Sequence, residues 1–186
     1  MPIDQAALLL IDVQQGFDDP LWGARNNPGA EENIAALLSY WRTCGRTVLH
    51  VQHCSIEPGS PLRHDHPGCS FKPEAKPNSG ERIFQKSVNS AFIGTSLESE
   101  LRAYGTRNLV IVGLTTDHCV STTARMAANL GFETFVVHDA TATFDRKGHD
   151  GRMYSAEQIH STALASLHEE FATVISTAEA LSGRMT

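Results

Sequence analysis

The stretch Ala6-Ala-Leu-Leu-Leu-Ile-Asp-Val13 decides how the rest of the chain is read. It is an apolar run without alternation, broken only by Asp12 near its end. A strand buried on both faces reads this way, because neither side meets water. Thr47-Val-Leu-His-Val51, Asn108-Leu-Val-Ile-Val-Gly113 and Thr134-Phe-Val-Val-His138 are runs of the same type, and Arg82-Ile-Phe-Gln-Lys86 and Ala172-Thr-Val-Ile175 are shorter ones. Helical segments alternate with them. Residues 31–44 carry Ile34, Leu37, Leu38 and Trp41 at helical spacing, with Gly45 as the stop. Residues 96–104 read as a helix capped by Ser96, and 117–130 as one ended by Gly131. Residues 155–171 read as a long helix opened by Ser155 and Gln158 at capping-box spacing, and 177–181 as a terminal turn. The expected fold is α/β: a three-layer, doubly wound, Rossmann-like sheet of six mainly parallel strands. No repeat, linker or composition break appears, so residues 1–186 are expected to form one domain.

Composition narrows the function. A net charge of -6 with no Lys/Arg cluster opposes binding to a phosphate backbone, so no nucleic-acid partner is expected. No apolar run reaches the roughly 18 residues of a membrane span, and the N-terminus lacks a signal-type segment. The protein is therefore expected in the cytoplasm, without a membrane partner. Its four cysteines, Cys44, Cys54, Cys69 and Cys119, are expected as thiols in that reducing compartment.

Open parallel sheets bind ligands beyond the C-terminal ends of their strands. The polar residues that close the strands are Asp12 with Gln14 and Gln15, then Gln52 and His53, then Lys86. The turn Gly113-Leu-Thr-Thr-Asp-His-Cys119 follows, and last come His138 and Asp139. An acid, a cation and a thiol thus converge on one sheet edge. Cys119 falls in the first turn of a helix, where partial positive charge and free N–H groups lower a thiol's pKa and can hold an oxyanion. Lys86 would add to that effect, and Asp12 is placed to take the thiol proton and later activate a water. Singly, each residue has an ordinary structural reading: a buried thiol, a turn aspartate, a solvated lysine. His138 and Asp139 are expected to make structural hydrogen bonds. His118 is not assigned as the base, because helix neighbours point about 100° apart.

Three motifs sharpen this reading. Gly113-Leu-Thr-Thr-Asp-His-Cys-Val-Ser-Thr-Thr-Ala124 resembles the nucleophile turn of the isochorismatase-like cysteine hydrolases. Leu8-Leu-Leu-Ile-Asp-Val-Gln-Gln-Gly-Phe17 resembles their first strand and its acid, and Lys86-Ser-Val-Asn-Ser-Ala-Phe92 their lysine segment. The resemblance covers nearly the whole chain. It implies a sheet of six parallel strands, a triad of Cys119, Asp12 and Lys86, and a homo-oligomer (dimer or tetramer). It further implies a cis peptide at Leu114–Thr115 that aims the N–H groups of Thr115 and Cys119 into an oxyanion hole. Vinyl-ether-cleaving isochorismatases lack the cysteine, so Cys119 points to the amidase branch.

The expected function is a cysteine hydrolase that cleaves a C–N bond of a small amide, carbamoyl or ureido compound through a thioester. The alternatives are a vinyl-ether hydrolase that needs Asp12 but not the thiol, and a non-catalytic small-molecule-binding member of the family. The expected substrate contacts are Gln14, Phe17, Trp22, Gln52, His53 and Phe92. Residues 55–80 form a long loop without periodicity, the kind that walls a site. Its surroundings hold His53, Cys54, His64, His66 and Cys69, whose spacing matches no standard zinc motif. The metal-binding positions of nicotinamidases fall on His53, Ser55 and Pro61, of which only His53 is a ligand type. No metal, no cofactor and no nicotinamide substrate are therefore expected. The polar loop 144–154 is expected to reach toward a neighbouring subunit.

Overall fold

The strands form where side chains on both faces can be buried. In the computed structural model, which describes residues 2–182, β1 (Ala7–Ile11) has all five residues buried. Leu9 and Ile11 join one apolar cluster, and Leu8 and Leu10 the opposite one, as the two-residue period of a strand requires. The other strands are β2 (Val48–His53), β3 (Arg82–Lys86), β4 (Asn108–Leu114), β5 (Glu133–Ala142) and, after a hairpin of β6 (Arg146–Lys147) and β7 (Met153–Tyr154), β8 (Thr173–Ile175). The main sheet has six strands in the order β3-β2-β1-β4-β5-β8, with every pairing parallel.

Helices cover both faces. On one, α1 (Ala30–Thr43) and α5 (Thr177–Ser182) pack Ile34, Leu37, Leu38, Trp41 and Ala180 against the sheet. On the other, α2 (Leu97–Ala103), α3 (Ser121–Asn129) and α4 (Ala156–Leu167) contribute Leu97, Leu101, Ala124, Ala127, Leu164 and Leu167. The expected three-layer α/β architecture is present. Among the described residues, no helix is long and apolar enough to cross a membrane.

Chain order reverses between β1 and β4, which leaves a crevice at their C-terminal ends. Gly113 allows the two strands to meet there. Its φ is +118°, and a Cβ built on it would stand 2.0 Å from Ile11 O. A third apolar cluster caps this end of the sheet: Phe17, Ala30, Leu62, Leu114, Ala142 and Phe144, with Trp22 packed on it.

Four local readings need correction. Ser96 precedes α2, but its side chain caps nothing; Thr95 Oγ1 accepts from Leu97 N–H instead. β5 does not stop at His138: the ladder shifts register between Ile111 and Gly113 and resumes at Thr141 and Ala142. α4 opens with the expected capping box of Ser155 and Gln158 but ends at Leu167, because Glu169 takes φ +65° and His168 bridges to Ala172. Within 144–154, residues 146–154 form the β6–β7 hairpin rather than an irregular loop.

Candidate active site

Each polar residue at the crevice is placed by the end of a strand. Asp12 follows β1 with φ +51°, a left-handed conformation that aspartate tolerates better than most residues. His53 and Lys86 are the last residues of β2 and β3 and pair with each other in register. Two strand spacings, about 10 Å, separate β3 from β1, a gap the long lysine side chain spans. Cys119 lies in a wide helical turn, Thr116–Val120, that leads from β4 into α3.

Lys86 Nζ is the meeting point. It donates to Asp12 Oδ2 at 2.6 Å and to Cys119 Sγ at 3.2 Å, and it stands 3.1 Å from His53 Nδ1. Asp12, Lys86 and Cys119 are all buried. Asp12 Oδ1 and Thr115 Oγ1 are buried without a hydrogen-bond partner among the described residues. The Leu114–Thr115 peptide is cis.

Burial and charge set the protonation of this group. Burial pushes the Cys119 thiol up to about 12, and the Asp12 charge adds to that against the Lys86 ammonium. This corrects the expectation of a lowered thiol pKa: the sulfur is deep enough that desolvation outweighs the helix terminus and the cation. Burial alone would pull Lys86 down, but the charges of Asp12 and Cys119 hold it above its usual range. Burial, and then the nearby Lys86, lower His53. The resting arrangement is thus an ammonium between a carboxylate, a neutral thiol and a neutral imidazole. Asp12, His53 and Cys119 also offer ligand atoms within 4.8 Å of one another, as a metal site would. Lys86 Nζ already stands among them with the positive charge a metal would bring.

The cavity above Cys119 measures about 100 Å³. Asp12, Phe17, Trp22, His53, Leu62, Asn89, Thr115, His118, Cys119 and Arg146 line it. Of the expected substrate contacts, Phe17, Trp22 and His53 are at the cavity, while Gln14, Gln52 and Phe92 are not. Gln14 is a buried clamp: it accepts from His53 N–H at 2.8 Å and donates to His53 O and Cys69 O at 3.0 and 2.8 Å. Gln52 donates to Cys69 O at 2.8 Å and accepts from Gln85. Phe92 stacks on Phe132 in the core. Closeness to a strand end did not reveal which way Gln14 and Gln52 turn, and the resemblance of the Lys86–Phe92 segment did not reveal that Phe92 faces the core.

Leu62, Asn89, His118 and Arg146 escaped the sequence reading as pocket residues. Arg146 arrives on the β6–β7 hairpin, with its Nε donating to Asp117 Oδ2 at 3.2 Å. Burial would raise Asp117, but the Thr143 hydroxyl and the charges of His118 and Arg146 bring it below the usual carboxylate range. Asp139 acts structurally, its Oδ1 accepting from the Thr177 N–H and hydroxyl at the start of α5, and His138 takes part through its main chain, with its carbonyl accepting from Asn27. The histidines of the middle loop do not gather: His66 Nδ1 accepts from Gly68 N–H, and His64 is exposed.

Against known protein families, residues 6–179 match the isochorismatase domain. The chain belongs to the isochorismatase family. An isochorismatase family protein of Bacillus subtilis is 48% identical over 174 residues, which is 94% of this chain and 93% of the relative. A crystal structure of an isochorismatase-family protein from Chromobacterium violaceum superposes with a TM-score of 0.93 at 46% identity, covering 96% of this chain and 93% of that one. Maleamate amidohydrolase of Pseudomonas putida is 31% identical over 169 residues, 81% of this chain and 78% of its own. Membership in this family makes the protein an isochorismatase-family hydrolase. In it, the crevice between β1 and β4 holds both the carboxylate and the thiol.

Proposed function

We propose that this protein is a cysteine hydrolase that cleaves a C–N bond of a small amide, carbamoyl or ureido compound through a thioester. The observation that carries the reading is the bridge from Asp12 Oδ2 through Lys86 Nζ to Cys119 Sγ, at 2.6 and 3.2 Å. Likeness to an amidohydrolase supports the bond type. A cavity of about 100 Å³ supports a small substrate, since it corresponds to roughly three water volumes.

The thiol is neutral at rest, so the reaction needs a base and not a stored thiolate. Lys86 occupies Asp12 Oδ2, which leaves the unpartnered Oδ1 to take the proton. As the sulfur attacks the carbonyl carbon, negative charge moves from the carboxylate to the sulfur and on to the carbonyl oxygen. The N–H groups of Thr115 and Cys119 receive that oxygen. Asp12 returns its proton to the departing nitrogen, and the C–N bond breaks. Asp12 then takes a proton from water, whose oxygen attacks the thioester carbon; the C–S bond breaks, Asp12 passes that proton to the departing sulfur, and the acid leaves. Lys86 stays an ammonium throughout, so each step moves charge within the buried group without changing its sum. Phe17, Trp22 and Leu62 offer apolar walls to the substrate, and Asn89, His118 and Arg146 offer polar contacts, with Asn89 Oδ1 beside the nucleophile at 3.9 Å from Cys119 Sγ.

A screen for ammonia release over small amides, carbamoyl and ureido compounds tests the reading. Turnover by the wild type that vanishes in Cys119→Ala supports it. Equal turnover by the variant removes Cys119 as the nucleophile.

A further inference from the structure

A second pair of thiols lies beside the site. Cys54 Sγ and Cys69 Sγ are 3.9 Å apart, and both are free. Cys54 follows the last residue of β2, and Cys69 ends the short turn Pro67–Cys69. Cys54 is partly exposed and Cys69 is buried. The contact is imposed by the fold. Gly68 lies so close to Gly16 that a Cβ on it would stand 2.7 Å from Gly16 Cα. Cys69 O accepts from the amides of Gln14 and Gln52, both at 2.8 Å. Gln14 also clasps the N–H and C=O of His53. Cys54 N–H donates to Lys86 O at 2.7 Å. The groups that hold the two sulfurs therefore also hold His53 and Lys86.

We propose that Cys54 and Cys69 are a modification site, a dithiol that a hydroperoxide converts to a disulfide and that thereby alters the neighbouring hydrolase site. Cys54, the accessible sulfur, attacks one peroxide oxygen. The O–O bond breaks, leaving a sulfenic acid on Cys54 and an alcohol or water. The Cys69 sulfur then attacks the sulfenic sulfur, water leaves, and the S–S bond forms. Two electrons pass from the thiols to the peroxide, and a small thiol reverses the step by exchange. Burial, with Cys54 adjacent, pushes the Cys69 thiol up to about 12, which makes Cys69 the second sulfur and not the first. A disulfide is about 2.05 Å long, so the sulfurs must approach by about 1.9 Å. Rotation of the two side chains and movement of residues 53–54 and 67–70 share that approach, and His53 Nδ1 is 3.1 Å from Lys86 Nζ.

The test uses the full chain, treated with a small excess of hydrogen peroxide, then alkylated with iodoacetamide and digested with trypsin. Cys54 falls on peptide 47–63 and Cys69 on 64–82, because Lys72 and Lys76 precede proline. Cys119 falls on peptide 108–125. Two results are expected: a 47–63/64–82 peptide pair that reductant separates, and a Cys119 alkylation rate that differs at least threefold between oxidised and reduced protein. Oxidation of Cys54 to the sulfinic acid without a linked pair overturns the proposal. A linked pair with an unchanged Cys119 rate overturns its connection to the site. Cys54→Ser must abolish both effects; a rate change that persists in it reports direct attack on Cys119 and also overturns the proposal. The linked pair is read without any substrate, so its outcome is independent of the hydrolase reading.

Discussion

Lys86 Nζ stands 2.6 Å from Asp12 Oδ2, with both side chains shut off from water. Bringing two charges out of solvent is costly, and only their mutual attraction offsets it. Removing one partner leaves the other bare.

Lys86→Met is therefore expected to lower stability by about 3–5 kcal/mol, read from urea unfolding. Combining it with Asp12→Asn should recover most of that loss, because no lone charge remains buried. Losses that simply add would show that the two groups do not act as a pair. Both variants should lack turnover.

Cys119→Ala deletes one buried sulfur and leaves Asp12 and Lys86 paired. Its unfolding midpoint should stay close to the wild-type value, while kcat on any substrate found falls at least ~10³-fold. A variant that keeps a tenth of the activity would exclude attack by this sulfur.

The thiol that burial pushes up to about 12 predicts a pH profile. Iodoacetamide reacts with the thiolate, so alkylation of Cys119 should be slow at pH 7 and climb about tenfold per pH unit through pH 9. A rate already at its plateau near neutrality would mean that the sulfur rests as a thiolate. The linkage follows in sign. The folded state favours the protonated thiol, so its contribution to stability is complete below the ordinary value of 9.0 and is lost as pH rises from there toward 12.

Acid should loosen the pocket wall before the core. Glu31 accepts from Arg25 at 2.5 and 2.7 Å and pairs with Lys72 at 2.8 Å, and Lys72 also holds Asp18. This network ties the segment that carries Phe17 and Trp22 to α1. Burial opposes the charged form of Glu31, but these partners bring its carboxyl from 4.5 to about 2. A depressed carboxylate stabilises above its unfolded pKa, so roughly 3 kcal/mol should be lost as pH falls from 4.5 to 2. Glu31→Gln should be less stable at pH 7 and lack that part of the acid transition. An identical acid limb in both proteins would remove Glu31 as its source.

How much of this was legible in the sequence depended on the kind of signal. Ala7–Ile11 and Asn108–Leu114 read plainly, because burial on both faces leaves a run no solvated element shares. The convergence of Asp12, Lys86 and Cys119 followed from a fold rule once the strands were placed. The polar His138-Asp139 pair concealed the second half of β5, since the register shift there has no residue signature. Arg146, Asn89 and Leu62 come from stretches without periodicity, and their positions depend on how loops rest on one another. Gln14, Gln52 and Phe92 had the right chain position and the wrong direction. Asp12 φ +51° could not be anticipated either, although it sets where the carboxylate begins.

The contact between Gly16 and Gly68 has a consequence for how this protein tolerates change. A side chain at position 68 would run into the Gly16 main chain, and one at position 16 into Pro61 O and the Leu62 side chain. Neither residue touches the reacting atoms, yet even alanine at either position would lift the middle loop off the segment that follows Asp12. Randomising the two codons and selecting for a working enzyme should return glycine at both, a pair of positions as intolerant as the nucleophile but for reasons of space alone.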